Sequence, residues 1–129
     1  MTSPASAAAF VAVAVGGAVG SVARYAATLA LTPFGAAFPW ATLLVNVTGA
    51  FLIGVFSRLF AGGDSDPVVR LALTTGLCGG FTTFSAFSAE VVTLVQQGRT
   101  GRAALYVVVS LLLGLGATAV GLSVGRTRG

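Results

Sequence analysis

Few residues of this 129-residue chain are equipped for chemistry, and their types restrict what that chemistry is. Ten side chains carry full charge: seven Arg, the pair Asp64 and Asp66, and Glu90. There is no His and only one Cys, Cys78. A Cys/His zinc site, a His-based triad and a disulfide framework are therefore all excluded. A carboxylate dyad would have to draw on Asp64, Asp66 and Glu90, two of which share one short loop. With no nucleophile–base pair and no metal-ligand set, an enzyme is not expected. What remains is a set of neutral hydrogen-bonding groups embedded in apolar sequence. Thr42, Asn46 and Gly49 follow i, i+4, i+7 and so share one helix face. The segment Gly76 to Glu90 is dense in Gly, Thr, Ser and Phe, and Tyr106 and Arg24 stand in other apolar stretches. Hydroxyls and an amide of this kind serve each other or a small ion; inside a bilayer they must face a partner or a water-filled path.

The elements that must position these groups follow from composition. Apolar residues make up 56% of the chain and charged residues 8%, and mean hydropathy is +0.98. A globular domain carries about 25% charged residues. The uncharged runs are 1–23, 25–57, 71–89 and 103–125. A bilayer-spanning helix takes about 20 apolar residues. The run 25–57 exceeds one span and is cut at the breaker stretch Thr32-Pro33-Phe34-Gly35. The chain is expected to be one all-α membrane domain over 1–129, with four transmembrane helices at about 6–31, 39–60, 67–97 and 103–125. Residues 103–125 offer only Tyr106, Ser110, Thr118 and Ser123 as polar side chains, so the polar outer face of a water-soluble bundle is missing. The pI of about 10.7 does not indicate nucleic acid, because the arginines other than Arg24 fall at the ends of apolar stretches, where membrane-flanking cations lie. The N-terminus lacks the basic region of a signal peptide, so the first helix is expected to be retained.

Local signals refine the boundaries. Pro39 suits a first helical position and Trp40 an interfacial belt; Asp66-Pro67 reads as N-cap then N1; Gln97-Gly98 with Arg99 to Arg102 forms the last turn. Gly16, Gly17, Gly20 and Ser21 make a small-residue packing face, and Gly114, Ala117, Gly121 and Gly125 another in the fourth helix. Arg24 either snorkels to the helix end or finds a carbonyl, carboxylate or anion inside. Asn46 makes an interhelical hydrogen bond or faces a path. The third helix would extend about 45 Å if continuous, against a hydrocarbon core of about 30 Å. A break near Gly76, Gly79 and Gly80 is expected. Freed carbonyls at such a break bind cations, and the restarted helix N-terminus favours anions.

At this segment the chain resembles a known family. Gly79-Gly80-Phe81-Thr82-Thr83-Phe84-Ser85-Ala86-Phe87-Ser88-Ala89-Glu90 is similar to the third-helix signature of the CrcB/Fluc fluoride channels. Gly20-Ser21-Val22-Ala23-Arg24-Tyr25 and the Gly-Ala-Phe-Leu-Ile-Gly stretch at 49–54 extend the likeness. The resemblance implies a passive fluoride channel of a bacterial-type plasma or inner membrane that relieves fluoride toxicity. It implies an antiparallel, dual-topology homodimer with two pores and a third helix broken at mid-membrane. A structural sodium ion at the dimer centre would be held by the backbone carbonyls of Gly79 and Thr82. The fluoride pore would take Phe84 and Phe87 as its aromatic box, with Asn46, Tyr106, Thr42 and Ser85 as polar positions and Arg24 and Glu90 as charged positions nearby. Many members have Thr where this chain has Ala86, so the polar track is expected to be less polar here. Edge-on Phe rings present the positive part of their quadrupole to an anion, and the amide and hydroxyls replace part of its hydration shell.

Two other readings were open to the sequence. A small proton-coupled four-helix exporter would need an interior carboxylate, for which Glu90 is the one candidate; a non-transporting assembly subunit would fit the glycine faces alone. Orientation is weakly specified. With four spans, Arg58, Arg70, Arg126 and Arg128 share one side, and Arg99 and Arg102, with Arg24 if it snorkels, the other.

Overall fold

A computed structural model describes residues 3–34 and 37–125; Gly35 of the expected breaker, and Arg126 and Arg128, lie outside the described residues. The described chain is helical, without strands, and four spans are long and apolar enough to cross a membrane: Ala7–Phe34, Trp40–Leu59, Pro67–Gln96 and Thr100–Val124. Ser6 caps the first by accepting from the Ala9 N–H at 3.1 Å. Asp66 caps the third by accepting from Val68 N–H at 2.9 Å, with Pro67 in the first turn as expected. Two boundaries differ from expectation. Pro39 is the N-cap residue rather than the first helical one, because its carbonyl accepts the first helical bond, from Leu43 at 3.2 Å. The fourth span starts at Thr100 rather than 103. Gly98 takes φ +76°, and Arg99 N–H donates to the Leu94 carbonyl at 2.8 Å, so the turn is completed in three residues.

Two seams hold the bundle. The second and fourth spans meet backbone to backbone: a Cβ at Gly54 would strike the Thr118 carbonyl, with Gly121 Cα at 3.1 Å, and a Cβ at Gly121 would strike the Phe51 carbonyl. The Thr118 hydroxyl donates to the Ala50 carbonyl across this seam at 3.0 Å. The first span lies as closely on the first half of the third, where Gly20 faces Leu77 and Phe81 backbone and Gly80 faces Gly17. A small buried cluster of Leu43, Leu94, Ala103 and Tyr106 sits under the second half. Most other large apolar side chains point outward, as lipid-facing helices require.

The third span is not one helix. Pro67–Leu71 leads into a π-helical stretch, Ala72–Cys78, then a short α-turn, Gly79–Phe81, before Thr82 and Thr83 adopt extended dihedrals and Phe84–Gln96 resumes. The interruption therefore falls after the three glycines where it was expected. Gly76 and Gly80 lie in helical segments, and their missing side chains let the first span approach.

Candidate functional site

The interruption is built by side chains that take over backbone hydrogen bonds. Thr82 sits at φ −86°, ψ 156° and Thr83 at φ −149°, ψ 113°. In a continuous helix the Thr83 N–H would donate to Gly79. Here it donates to Asn46 Oδ1 at 2.8 Å, and Asn46 Nδ2 donates back to the Thr83 carbonyl at 3.1 Å. The Thr83 hydroxyl caps the restarted helix by accepting from Ala86 N–H at 3.0 Å, so that N–H no longer serves Thr82. Arg24 Nε donates to the Gly80 carbonyl at 3.1 Å, the acceptor that Phe84 N–H would otherwise use. The helical donors of the Gly79 and Thr82 carbonyls are thereby diverted. Gly49 makes room for this geometry, since a Cβ there would collide with the Thr82 methyl.

A second polar cluster lies two turns further along. Thr42 Oγ1 donates to Glu90 Oε1 at 2.6 Å and Tyr106 O–H donates to Glu90 Oε2 at 2.8 Å. Three spans thus meet on one carboxylate. Tyr106 is fully buried, and its ring takes the edge-to-face approach of Phe87 at 5.0 Å and of Phe38 at 5.4 Å. Phe84 stands 5.8 Å from Phe87 at a 43° tilt.

Two clefts flank this aromatic and carboxylate cluster. One, of about 470 Å³, is lined by Asn46, Thr82, Thr83, Phe84, Phe87 and Ser110 among others. The other, of about 230 Å³, is lined by Phe38, Pro39, Glu90, Thr93 and Gln97. Phe87 borders the first and touches Tyr106; Glu90 borders the second and bonds Tyr106. The groups form a chain from the interruption to the end of the third span.

Most of the expected residues are brought together here: Gly79, Thr82, Asn46, Phe84 and Phe87 around the larger cleft, Thr42, Tyr106 and Glu90 around the carboxylate. Arg24 does not snorkel; it bonds the interruption from the first span. Ser85 is exposed, 3.2 Å from the Thr83 hydroxyl, and lies off the lining of either cleft. Sequence reasoning left Thr83, Ser110 and Phe38 out of the site. Thr83 had a readable signal, a Thr directly before the restarted helix. Ser110 lies one turn past Tyr106 and lines the larger cleft; its hydroxyl is buried, with no hydrogen-bond partner among the described residues. Phe38 had no signal, being placed by the loop. Among the described residues no group of three or more acidic, His or Cys side chains could hold a metal.

Comparison with known proteins converges on one family. The family model described as CrcB-like protein, Camphor Resistance (CrcB), matches residues 11–122. A protein of Nitrobacter winogradskyi named "Fluoride-specific ion channel FluC" is 46% identical over 117 residues, covering 89% of this chain and 93% of that one. Proteins of the same name from Rhizobium johnstonii and Rhodospirillum centenum are each 48% identical, over 116 and 118 residues, covering 88% and 90% of this chain and 93% and 94% of theirs.

Proposed function

This chain belongs to the CrcB-like family, and we propose that it is a fluoride channel, a multi-pass protein of the bacterial cell membrane that lets fluoride leave the cell down its gradient. The observation that carries the reading is the run of groups linking the two clefts: Asn46, Phe84, Phe87, Tyr106, Thr42 and Glu90. Fluoride is small, hard and strongly hydrated. Hydroxyls and the second Asn46 N–H replace water at polar points, and ring edges of Phe84 and Phe87 offer weak positive potential between them. Weak, successive sites suit conduction better than one tight site. Ser110, a lining residue of the larger cleft whose buried hydroxyl has no partner among the described residues, joins the polar positions if that hydroxyl turns toward the cleft; Ser85 reaches the path only through Thr83. Passage beside Glu90 requires Thr42 and Tyr106 to turn their hydroxyls from the carboxylate to the anion, which makes these three groups a hydrogen-bond exchange point. The reading is of a conducting protein and not an enzyme.

The same proposal includes an antiparallel homodimer in which the interruption lies at mid-membrane. Its support is the small arginine bias, four against two with Arg24 held inside the bundle, which fixes orientation only weakly, and the open larger cleft, which a second copy would cover. A sodium ion at the dimer centre fits the donor set. Unwound carbonyls are the usual ligands of sodium within a membrane, and those of Gly79 and Thr82 have lost their helical donors. Bound there, the ion would supply positive charge beside the path and tie the two copies together.

The test is fluoride efflux from liposomes holding this protein alone, read with a fluoride-selective electrode, with chloride efflux as comparison. Fast fluoride and no chloride release is expected; equal release of both, or of neither, overturns the reading. A C-terminal reporter pair, one active inside the cell and one outside, tests the topology. Comparable signals are expected, and signal from one reporter alone rules out dual topology.

A further inference from the structure

We propose that Asn46 and Arg24 are positioning residues for the helix interruption, a side-chain splint that decides which backbone carbonyls are left to a cation. The inference rests on the cation reading above for its second half only. An interrupted helix frees up to four carbonyls and four N–H groups, and in a bilayer none is left bare cheaply. Here the splint sorts them. The Asn46 amide acts as a strand neighbour would, accepting from Thr83 N–H at 2.8 Å and donating to the Thr83 carbonyl at 3.1 Å. Thr83 is consequently held extended and cannot re-enter the helix. Arg24, from the opposite side, spends its Nε–H on Gly80 at 3.1 Å. Gly80 and Thr83 are thus served by side chains; the carbonyls of Gly79, Phe81 and Thr82 have lost their helical donors, and of these three residues Gly79 and Thr82 line the larger cleft. Without Asn46 the Thr83 N–H has its helical acceptor, Gly79, two residues of rewinding away. The Gly79 carbonyl would then be consumed, and the cation ligand lost, with no change in any ligand residue.

The splint also separates two properties of Asn46. Its carbonyl oxygen holds Thr83 N–H; its amide nitrogen holds Thr83 O and retains one N–H for an anion. Asn46→Asp keeps the first acceptor and removes both donors. Asn46→Ala removes everything.

The experiment is hydrogen exchange of full-length protein in lipid nanodiscs, resolved at the Thr83 amide, for wild type, Asn46→Ala, Asn46→Asp and Arg24→Gln, each in sodium and in choline. Exchange over 91–96 serves as the fold control. The expected result is at least about tenfold faster exchange at Thr83 in Asn46→Ala, the size of one lost buried hydrogen bond. Asn46→Asp, which replaces the donor to the Thr83 carbonyl with an oxygen, is expected to lose fluoride efflux. Arg24→Gln is expected to weaken the slowing of exchange that sodium produces around residues 79–83 in wild type. Unchanged Thr83 exchange in Asn46→Ala, with residues 91–96 protected, overturns the splint. If sodium and choline give identical wild-type exchange, the cation reading fails, and the Thr83 comparison still decides whether Asn46 holds the interruption.

Discussion

The glycine seam between the second and fourth spans and the interruption of the third are held in opposite ways. Between the second and fourth spans, Gly54 and Gly121 bring main chain against main chain with no room for a methyl group, and the one hydrogen bond across among the described residues is from the Thr118 hydroxyl to the Ala50 carbonyl. At the interruption, Asn46 and Arg24 reach across from two other spans to hold a backbone that has no regular partner. The glycine seam is rigid because its neighbours are helical backbone, which cannot yield. The interruption is specific because its neighbours are side-chain hydrogen-bonding groups, which can be exchanged. Substitutions at the first should cost folding, and substitutions at the second should cost conduction while the fold survives.

The largest expected effect is therefore at the glycine seam. Gly54→Val or Gly121→Val forces bulk into the carbonyls of Thr118 or Phe51. Overpacking of this kind costs about 1–3 kcal/mol or more, and helical backbone offers little relief. Loss of monodisperse protein on size exclusion, with no folded inactive species, is the expected outcome. Folded Gly54→Val with normal flux would remove the distinction between the seam and the interruption.

The next effect is functional. Phe87→Ile removes the ring that touches Tyr106, and Phe84→Ile the neighbouring, largely exposed one. A fluoride flux at least about tenfold lower is expected for Phe87→Ile, corresponding to about 1.4 kcal/mol in barrier, with a folded protein. Tyr106→Phe comes after it. It strips Glu90 Oε2 of its donor while keeping the ring, and an unserved buried acceptor costs about 1–3 kcal/mol. Lower flux and a modestly lower melting temperature are expected together. Wild-type values of both in the liposome and thermal assays would take Tyr106 out of the exchange point.

The glycine seam and the interruption were also unequally legible in the sequence. The glycine faces, the four spans and the cap at Asp66 follow from hydropathy, residue size and local capping, all of which are short-range properties. The interruption was expected from length and composition, yet its position was not fixed at the glycines. Glycine marks close approach as readily as it marks a break, and only the partner helix decides between them. Position was set by Asn46 and Arg24, 37 and 56 residues away along the chain, and no periodicity encodes such a contact. The meeting of Thr42, Glu90 and Tyr106 was hidden for the same reason. Each was recognisable singly, as a polar group on an apolar helix, but their convergence is a property of the bundle.

The smallest expected effect lies at Thr82, where the second span meets the interruption. Its Oγ1 donates back to the Cys78 carbonyl at 2.8 Å, and its methyl group occupies the space that Gly49 leaves. The proposed cation ligand is its main-chain oxygen. Thr82→Ser keeps the hydroxyl bond and the carbonyl and removes only the methyl, so near-normal flux is expected. Gly49→Ala alone is different: the new Cβ meets that methyl, and Thr82 cannot move without moving the carbonyl beside it. A clear loss of flux is expected. In the double variant the methyl is gone, and the nearest remaining atoms to the new Cβ are Phe81 Cδ2 at 3.5 Å and Thr82 Cβ at 3.6 Å, ordinary contact distances. Thr82→Ser should therefore restore Gly49→Ala, a non-additivity of about 1 kcal/mol or more for groups in direct contact. Efflux rates of the four proteins in one double-mutant cycle measure it. Strict additivity would mean that Gly49 acts on the second span alone, and that the position of Thr82 does not depend on the space beside it.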